Sequence, residues 1–199
     1  MINFIDISQE KPYKEFIRYY DLALKNNQNI IEAMSISSYS KENSEVNSRY
    51  VNLKYIKGKE WIFFSNYNSP KSNEFREHNQ ICATFFWDEI NTQIRIKASI
   101  LKTASEFSDH HYKNRKTEKN ILSHSSNQSQ IISSYDDVKR KYDSVSLNKD
   151  NIKLRPKNWG GFSFIPYYFE FWEGNENRLN KRECFSFKNK EWLNFFLEP

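Results

Sequence analysis

The alternation of apolar and polar positions divides the first half of the chain into one helix followed by strands. In residues 12–25, Phe16, Tyr19, Tyr20 and Leu24 recur at helical spacing, which predicts an amphipathic helix. Strand patterns joined by polar turns at 40–47 and 57–59 are then predicted at 33–39, 48–56 and 60–66. This part of the chain is therefore expected to form an antiparallel meander.

A second helix is predicted at residues 68–78, because this segment carries the usual start signals of a helix. Ser69 stands at the cap position, Pro70 at the first helical position, and Glu74 and Glu77 follow soon after. Two further strands are predicted after it, at 80–87 and 92–104, with a loop between them.

The second half of the chain is predicted to be helical first and then rich in strands. Residues from about 105 to 145 form a polar, helical insertion, in which the Ser-rich stretch 123–134 predicts a loop and a new helix cap. Strand patterns return at 154–166, 168–174, 183–189 and 191–199. Two groups of strands with helices between them predict one α+β domain over residues 1–199, mainly antiparallel, with the helices outside a barrel or folded sheet.

Composition narrows the class of protein. Aromatic residues make up 17% of the chain, so rings are expected to supply much of the core. No apolar run approaches the roughly 18 to 20 residues of a membrane span, and the first residues do not resemble a secretory signal. Cys82 and Cys184 stand alone, without metal-ligand or disulfide spacing. We therefore expect no metal, no membrane association and a cytoplasmic location with reduced thiols.

The net charge of +5 favours an anionic partner, which could be nucleic acid, a membrane surface or a phosphorylated small molecule. The stretch 64–71 suggests a phosphorylated small molecule, because Ser65 ends a strand and Lys71 lies in the first turn of the predicted helix. The unpaired N–H groups of a helix start, a hydroxyl and a lysine can cradle a phosphate. An ordinary strand–helix turn is the alternative interpretation.

Two further stretches place cations in a regular pattern. His111, Arg115 and Lys119 are spaced by four and would share one helix face able to converge on an anion, or form a solvated basic face. Near Trp172, Arg178 and Arg182 alternate with Asn180, so in a strand these three side chains would face the same side.

Six short motifs follow one another along the chain: R-x-V-x-L-K at 49–54, S-x-K at 69–71, F-x-W-x-x-x-x-x-Q at 85–93, Q-S at 128–129, W-G-G at 159–161, and E-F-W-x-G…R-L-x-x-R at 170–182. In this order and spacing, the chain from about residue 33 to its C-terminus resembles the pyridoxamine 5′-phosphate oxidase family. The last motif is the most specific. The resemblance implies an FMN-binding split β-barrel and a homodimer with flavin at the subunit interface. It also implies oxidation of pyridoxine or pyridoxamine 5′-phosphate to pyridoxal 5′-phosphate, with oxygen reduced to hydrogen peroxide.

The resemblance also implies roles for individual residues. The implied FMN-binding residues are Arg49, Lys54, Phe64, Ser65, Lys71, Gln93, Gln128, Ser129, Trp172 and Arg182. The implied substrate-binding residues are Lys54, His111, Arg115, Lys119, Arg178 and Asn180. Arg178 and Asn180, which face the substrate ring, are the implied catalytic residues. Lys54 would surround the substrate phosphate together with His111, Arg115 and Lys119. At these positions Lys119 adds a cation to the family pattern, and His111 adds a second one that can titrate.

Several positions depart from the family pattern. Asn180 stands where relatives carry His, His111 where Tyr is usual, and Lys119 where Ser is usual; Phe64 and Pro70 replace Tyr and Arg. The expected flavin contacts are thus mostly kept, whereas half of the substrate contacts are changed. An amide at 180 can still hydrogen-bond a phenolic oxygen, but it cannot exchange a proton at neutral pH.

Three other functions stay open at this point. The chain could oxidise a different ring substrate, of the phenazine-biosynthesis type, or it could bind FMN or pyridoxal phosphate as a carrier or sensor without turnover. A basic nucleic-acid-binding domain is the third alternative, but no recognition motif supports it, so we expect no nucleic-acid partner.

Overall fold

The computed structural model describes residues 1–147 and 152–199. Its helices are α1 (Lys11–Lys25), α2 (Pro70–Glu77), α3 (Ser105–Lys113), α4 (Thr117–Ser125) and α5 (Tyr135–Ser146). Its strands are β1 (Asn3–Ile5), β2 (Ala33–Ser40), β3 (Glu45–Asn52), β4 (Tyr55–Lys57), β5 (Glu60–Asn66), β6 (Gln80–Trp87), β7 (Thr92–Lys102), β8 (Trp159–Glu173), β9 (Lys181–Lys188) and β10 (Glu191–Phe196).

The strands form one folded sheet in the order β1-β4-β5-β8-β7-β6-β2-β3, and β9 extends it from β8 and carries β10. All these pairs are antiparallel except the parallel pair of β1 and β4. The predicted α+β class with a mainly antiparallel sheet is confirmed. None of the helices in the described part of the chain is long and apolar enough to cross a membrane.

Helix α1 packs its aromatic face on the core, as its spacing predicts. Phe16, Tyr19 and Tyr20 are buried, and Pro12 occupies the first turn, where a missing N–H costs nothing. Phe16 meets the ring of Trp61 at 4.4 Å in an edge-on contact. Such pairs stabilise a core by about 0.5–1.5 kcal/mol beyond their buried area, so rings and not only aliphatic chains hold this fold together.

The strand predicted at 48–56 is wrong in one respect, because it breaks into β3 and β4. The N–H of Leu53 bonds to the carbonyl of Glu32 on the β2 side, whereas the N–H of Lys54 bonds to Ile62 in β5. The chain therefore changes neighbours between these two residues. This crossover brings the end of β3 next to the end of β5, where the candidate site lies.

The strands predicted at 154–166 and 168–174 are instead one strand, β8, which begins at Trp159. Its pairing with β7 shifts register at one point: Ala98 pairs with Pro166 and Lys97 with Tyr168, so Tyr167 is an extra residue. A β-bulge of this kind accommodates a proline in a strand, because the ladder is already interrupted there. One strand thus runs the whole length of the sheet.

The helical insertion divides into α3, α4 and α5. The Ser-rich stretch gives a loop and a cap, as predicted: the Ser134 hydroxyl accepts the N–H of Asp137, and the Asp137 carboxylate accepts the N–H of Ser134.

Candidate functional site

A cavity of about 590 Å³ opens between the ends of β3 and β5 and the α3–α4 segment. Among the sequence-predicted residues, it is lined by Arg49, Lys54, Phe64, Ser65, Lys71, His111, Arg115, Lys119, Gln128 and Ser129. These come from four separate parts of the chain, so the fold brings together most of the residues for which the resemblance implies a role. Tyr50, Val51, Asn52, Pro70, Leu122 and Trp159 complete the lining.

Ser65 and Lys71 form the floor of the cavity where β5 passes into α2. The Lys71 ammonium is 6% exposed and donates to the hydroxyls of Ser65 at 3.1 Å and Ser69 at 3.2 Å. Burial and the nearby Arg49 lower the pKa of Lys71 to about 8. Ser69 occupies the predicted cap position, but its hydroxyl donates to the carbonyl of Asn66 instead of capping the helix.

The 128–129 pair reaches the same floor from the loop after α4. The side-chain oxygen of Gln128 accepts from the Asn66 N–H at 3.4 Å and the Ser65 hydroxyl at 3.5 Å. Ser129 has a φ of +69°, a left-handed conformation that sharply turns the loop. This turn accounts for both side chains facing the cavity.

Arg49 forms the opposite side of the floor, and its guanidinium is held from behind. Its two terminal nitrogens donate to the Ser38 hydroxyl at 2.5 Å and to the Glu74 carboxylate at 2.9 Å. The floor therefore contains two cations: Lys71 of α2, which is buried, and Arg49 of β3, whose side chain is 22% exposed.

An array of rings forms one wall. His111 stacks on Phe64 with ring centroids 3.8 Å apart and planes 8° from parallel, and Trp159 stacks on Phe64 at 5.4 Å. The Arg115 guanidinium lies 4.6 Å from the centre of the Trp159 ring. Both residues that depart from the family pattern here, Phe64 and His111, thus pack against each other.

The expectation that His111 adds a titratable cation at neutral pH is wrong for the structure described. Burial, and then Arg115, Lys54, His110 and Lys119, lower the pKa of His111 to about 4. Its Nδ1 lies 2.9 Å from the Tyr55 hydroxyl, so a neutral ring is hydrogen-bonded on that side. His111 therefore contributes a polar edge and a flat face to the cavity, while the lysines and arginines contribute the charge.

His111, Arg115 and Lys119 do not share a helix face, contrary to prediction. Helix α3 ends at Lys113, because Asn114 turns its side-chain amide back onto the carbonyl of His110. Arg115 lies between the helices and donates to the backbone carbonyl of Lys119. The three side chains nevertheless line one cavity, since the turn folds α4 back beside α3.

Lys54 links the cavity to the segment before β2. Its ammonium lies 3.3 Å from Glu32, and its side chain is about one quarter exposed. Lys54 and Lys119 thus stand nearer to solvent than Lys71. The exposure of these cations therefore increases from Lys71 at the floor to Lys54 and Lys119 at the opening of the cavity.

Gln93, Trp172 and Arg182 form a row outside this cavity. They are paired directly across β7, β8 and β9, so their side chains share one face of the sheet. Arg182 donates to the buried carboxylate of Glu170, which Arg95 also contacts. Arg182 is thereby held in position beside Trp172.

Arg178 and Asn180 do not alternate with Arg182 along a strand, so the strand interpretation of this stretch does not apply. Strand β9 begins only at Lys181, and Arg178 has a φ of +59° within the preceding turn. The Asn180 side chain accepts the N–H of Asn175, which closes that turn. The asparagines that argue against a helix here are typical turn residues.

The row and the cavity lie at opposite ends of β8. Gly160 is paired with Ser65 at the cavity, and Trp172 is twelve residues further along the same strand. An extended strand rises about 3.3 Å per residue, so the two groups lie up to about 40 Å apart along β8. Within one chain, the row is therefore not part of the cavity lining.

Sequence reasoning missed some of the lining. Tyr50 and Asn52 fall within the first motif, and Trp159 opens the W-G-G motif, but neither motif says which side chains face a ligand. Glu74, which holds Arg49, appears in sequence only as an acid near a helix start. No local pattern distinguishes a buried ion pair from a solvated acid at that position.

Comparisons with known proteins agree with this arrangement. Residues 159–199 match the family described as the pyridoxine 5′-phosphate oxidase C-terminal dimerisation region. The pyridoxine/pyridoxamine 5′-phosphate oxidase of Christiangramia forsetii is 35% identical over 188 residues, 92% of this chain and 86% of that protein. Pyridoxine/pyridoxamine 5′-phosphate oxidase 1 of Hydrogenovibrio crunogenus is 33% identical over 174 residues, 87% of this chain and 80% of that one.

Solved structures show the same fold. PhzG from Burkholderia lata 383, in complex with tetrahydrophenazine-1-carboxylic acid, superposes with a TM-score of 0.88 at 20% identity over 95% of this chain and 93% of that one. A pyridoxamine 5′-phosphate oxidase-related, FMN-binding protein from Nostoc punctiforme gives 0.77 at 9% identity, over 96% and 100% of the two chains. The predicted split-barrel fold is confirmed, and the chain belongs to the pyridoxine/pyridoxamine 5′-phosphate oxidase family of FMN-dependent oxidases.

Proposed function

We propose that this protein oxidises pyridoxamine or pyridoxine 5′-phosphate to pyridoxal 5′-phosphate, with FMN held in the basic cavity and oxygen as electron acceptor. The observation that carries the proposal is the convergence of ten sequence-predicted site residues from four segments on one cavity. Relatives that are 33% and 35% identical bear the name of this activity, which supports the same substrate here.

The cavity fits a phosphorylated cofactor in size and charge. Its volume lies within the range of about 300–1,000 Å³ typical of cofactor pockets. Within the described part of the chain, its lining includes five Lys or Arg side chains and no carboxylate. Burial, and then the nearby Arg49, lower the pKa of Lys71, and a phosphate dianion beside Lys71 would favour its charged form.

We assign the FMN phosphate and ribityl chain to Arg49, Ser65, Lys71, Gln128 and Ser129. Gln93, Trp172 and Arg182 would border the flavin ring. Because these two groups lie at opposite ends of β8, the ring contacts come from a second copy of the chain, and the active species is a homodimer. The dimerisation region matched at residues 159–199, which contains Trp172 and Arg182, supports this assignment.

Bound FMN would supply the redox chemistry by accepting a hydride from the substrate carbon and passing the electrons to oxygen. The chain's own residues bind and orient. Lys54, Arg115 and Lys119 would hold the substrate phosphate, with His111 as a neutral hydrogen-bonding partner. Arg178 and Asn180 would face the substrate ring, where the Asn180 amide can bond a phenolic oxygen. Stacking the two rings in reactive geometry is the main catalytic contribution.

A second candidate is oxidation of a different anionic ring substrate. It is favoured by Asn180, which stands where the family carries His and cannot exchange a proton, and whose oxygen is bonded within its own turn. The changes at His111 and Phe64 alter the neighbouring wall as well. This candidate retains the FMN site and changes only the substrate end.

The test is to purify the protein with FMN and to measure peroxide release with four compounds: pyridoxamine, pyridoxine and their 5′-phosphates. We expect peroxide from the phosphates at concentrations where the unphosphorylated compounds give almost none. Equal rates for both forms would exclude the proposed phosphate subsite. Bound flavin without peroxide from any of the four would favour the second candidate or a carrier. An inability to bind FMN would overturn the proposal altogether.

A further inference from the structure

Glu74 is a buried acid behind a basic site. It lies in α2, one helical turn after Lys71, and is 5% exposed. Its carboxylate accepts from Arg49 at 2.9 Å, from Asn47 at 3.1 Å and from the Ser38 hydroxyl. Three polar groups from β2 and β3 thus converge on one helix carboxylate outside the cavity lining.

The contacts form a closed triangle around the Arg49 guanidinium. Arg49 donates one terminal nitrogen to Ser38 and the other to Glu74, and Ser38 itself donates to Glu74. A guanidinium is planar and has five N–H donors, so two bonds on one edge fix the direction of the rest. Since Arg49 also lines the cavity, its orientation towards a ligand depends on this anchor.

The same carboxylate acts on the second cation of the floor. Arg49 and burial both lower the pKa of Lys71, and the negative charge of Glu74 raises it. The positive charges of Arg49 and Lys71 repel each other, and Glu74 offsets part of that repulsion before any anion arrives. The acid therefore affects both the direction of Arg49 and the charge of Lys71.

We propose that Glu74 is a positioning residue of the cofactor site, which holds the Arg49 guanidinium towards the cavity and lets Arg49 and Lys71 share the FMN phosphate. This inference rests on the proposed placement of FMN in the cavity. A purely structural role, in which Glu74 only ties α2 to the β2–β3 hairpin, would give the protein stability but leave the pH dependence of FMN binding unchanged.

That pH dependence separates the two roles. Phosphate binding favours charged Lys71, so the dissociation constant for FMN should begin to rise above about pH 8 in the native protein. The charged groups facing Lys71 are Arg49 and Glu74, with the hydroxyls of Ser65 and Ser69. Removing the Glu74 charge lowers the pKa of Lys71 further, which moves the onset to lower pH.

The experiment titrates FMN by fluorescence quenching from pH 6.5 to 9.5 in the full-length native protein and the Glu74→Gln variant. We expect Glu74→Gln to raise the dissociation constant roughly tenfold at pH 7. The pH at which this constant begins to rise should also be lower than in the native protein. Glu74→Asp keeps the charge but shortens the reach, so it should restore the native onset and only part of the affinity.

The matched control is Glu10→Gln, which removes a carboxylate that accepts from Lys59 and Trp192 away from the cavity. It should change neither affinity nor onset. Native affinity and native onset in Glu74→Gln would overturn the inference while leaving the proposed function intact, whereas failure of the native protein to bind FMN would overturn the proposed site itself. Should Glu74→Gln not fold, Glu74→Asp and Ser38→Ala carry the test, and native affinity in both overturns the inference.

Discussion

The floor of the site places Lys71 and Arg49 close together under a cavity, with an acid behind them and hydroxyls beside them. Burying the Lys71 ammonium near a second cation is costly without a bound anion, because burial favours the neutral form of Lys71. A phosphate between them would offset that cost. The site therefore gives the chain a physical reason to bind a phosphorylated ligand, independent of any likeness to relatives.

At the residue scale, His111 should make stability depend on acid. The unfolded chain binds a proton at this ring near pH 6.5 and the folded protein only near pH 4, so the free energy of unfolding should fall as the pH drops through this window. In His111→Phe, urea unfolding between pH 4 and 7 should show a flatter dependence. His78 at the end of α2, which is not among the groups that lower the pKa of His111, is the control, and His78→Phe should keep the native slope. Equal slopes in the native protein and His111→Phe would contradict the buried, neutral ring.

Arg115 should affect substrate binding more than turnover. The substrate phosphate is remote from the reacting carbon and is bound alike in the ground and transition states, so Arg115→Ala should raise KM more than it lowers kcat. Steady-state peroxide assays with pyridoxamine 5′-phosphate measure both constants. The control is Arg140→Ala on the exposed face of α5, which should match the native protein. A fall in kcat at unchanged KM would place Arg115 at the reacting ring instead.

The sequence located these residues but not their surroundings. The family resemblance identified ten lining residues, and five of them, Arg49, Lys54, Lys71, Gln128 and Ser129, belong to the motifs themselves. It did not reveal the neutral state of His111, since that depends first on burial, which only the folded structure shows, and then on neighbouring cations. Asn180 shows the same limit: the alternation suited a strand, whereas a bond from the Asn175 N–H to the Asn180 side chain closes a turn.

At the element scale, the start of β8 controls the cavity wall. A Cβ built at Gly161 would lie 2.2 Å from the Thr103 methyl carbon and 3.1 Å from the Phe64 ring, so only glycine lets β8 pass this close. The rings of His111 and Trp159 in turn stack on Phe64. The backbone of one strand thereby sets the position of the ring array.

Gly161→Ala should therefore destabilise the protein and disturb the ring array together. Overpacking of this kind should lower the free energy of unfolding by about 1–3 kcal/mol, which urea unfolding measures. The double variant Gly161→Ala with Thr103→Ser removes the clashing methyl group and should recover much of that loss. If the single variant matches the native protein in stability and FMN affinity, the close packing described for β8 is wrong.

Elements were predictable where the pattern is local. The helix at 12–25, the strands at 60–66 and 80–87 and the cap at Ser134 follow from periodicity and capping alone. The split of 48–56 and the joining of 154–174 into one strand were not predictable, because both depend on which neighbouring strand supplies the hydrogen bonds.

At the scale of the whole molecule, the length of β8 separates the two halves of the proposed FMN site. The phosphate floor lies at one end and the Gln93, Trp172 and Arg182 row at the other. The proposed site then takes two chains, each giving its floor to one flavin and its row to the other. Periodicity and local motifs do not show this sharing, and it is expected only because relatives with the same motif order place flavin at a subunit interface.

The most direct test of this account uses a heterodimer of two defective chains, one Arg49→Ala and the other Arg182→Ala, co-expressed with different tags and purified through both. Losing one charge-assisted bond to FMN should weaken each homodimer roughly tenfold to a hundredfold. At an FMN concentration that leaves both homodimers nearly empty, the heterodimer should bind one FMN per two chains, because the intact floor of one chain meets the intact row of the other. A heterodimer as empty as the homodimers, or a protein that sediments as a 24.0 kDa monomer when loaded with FMN, would contradict the shared site.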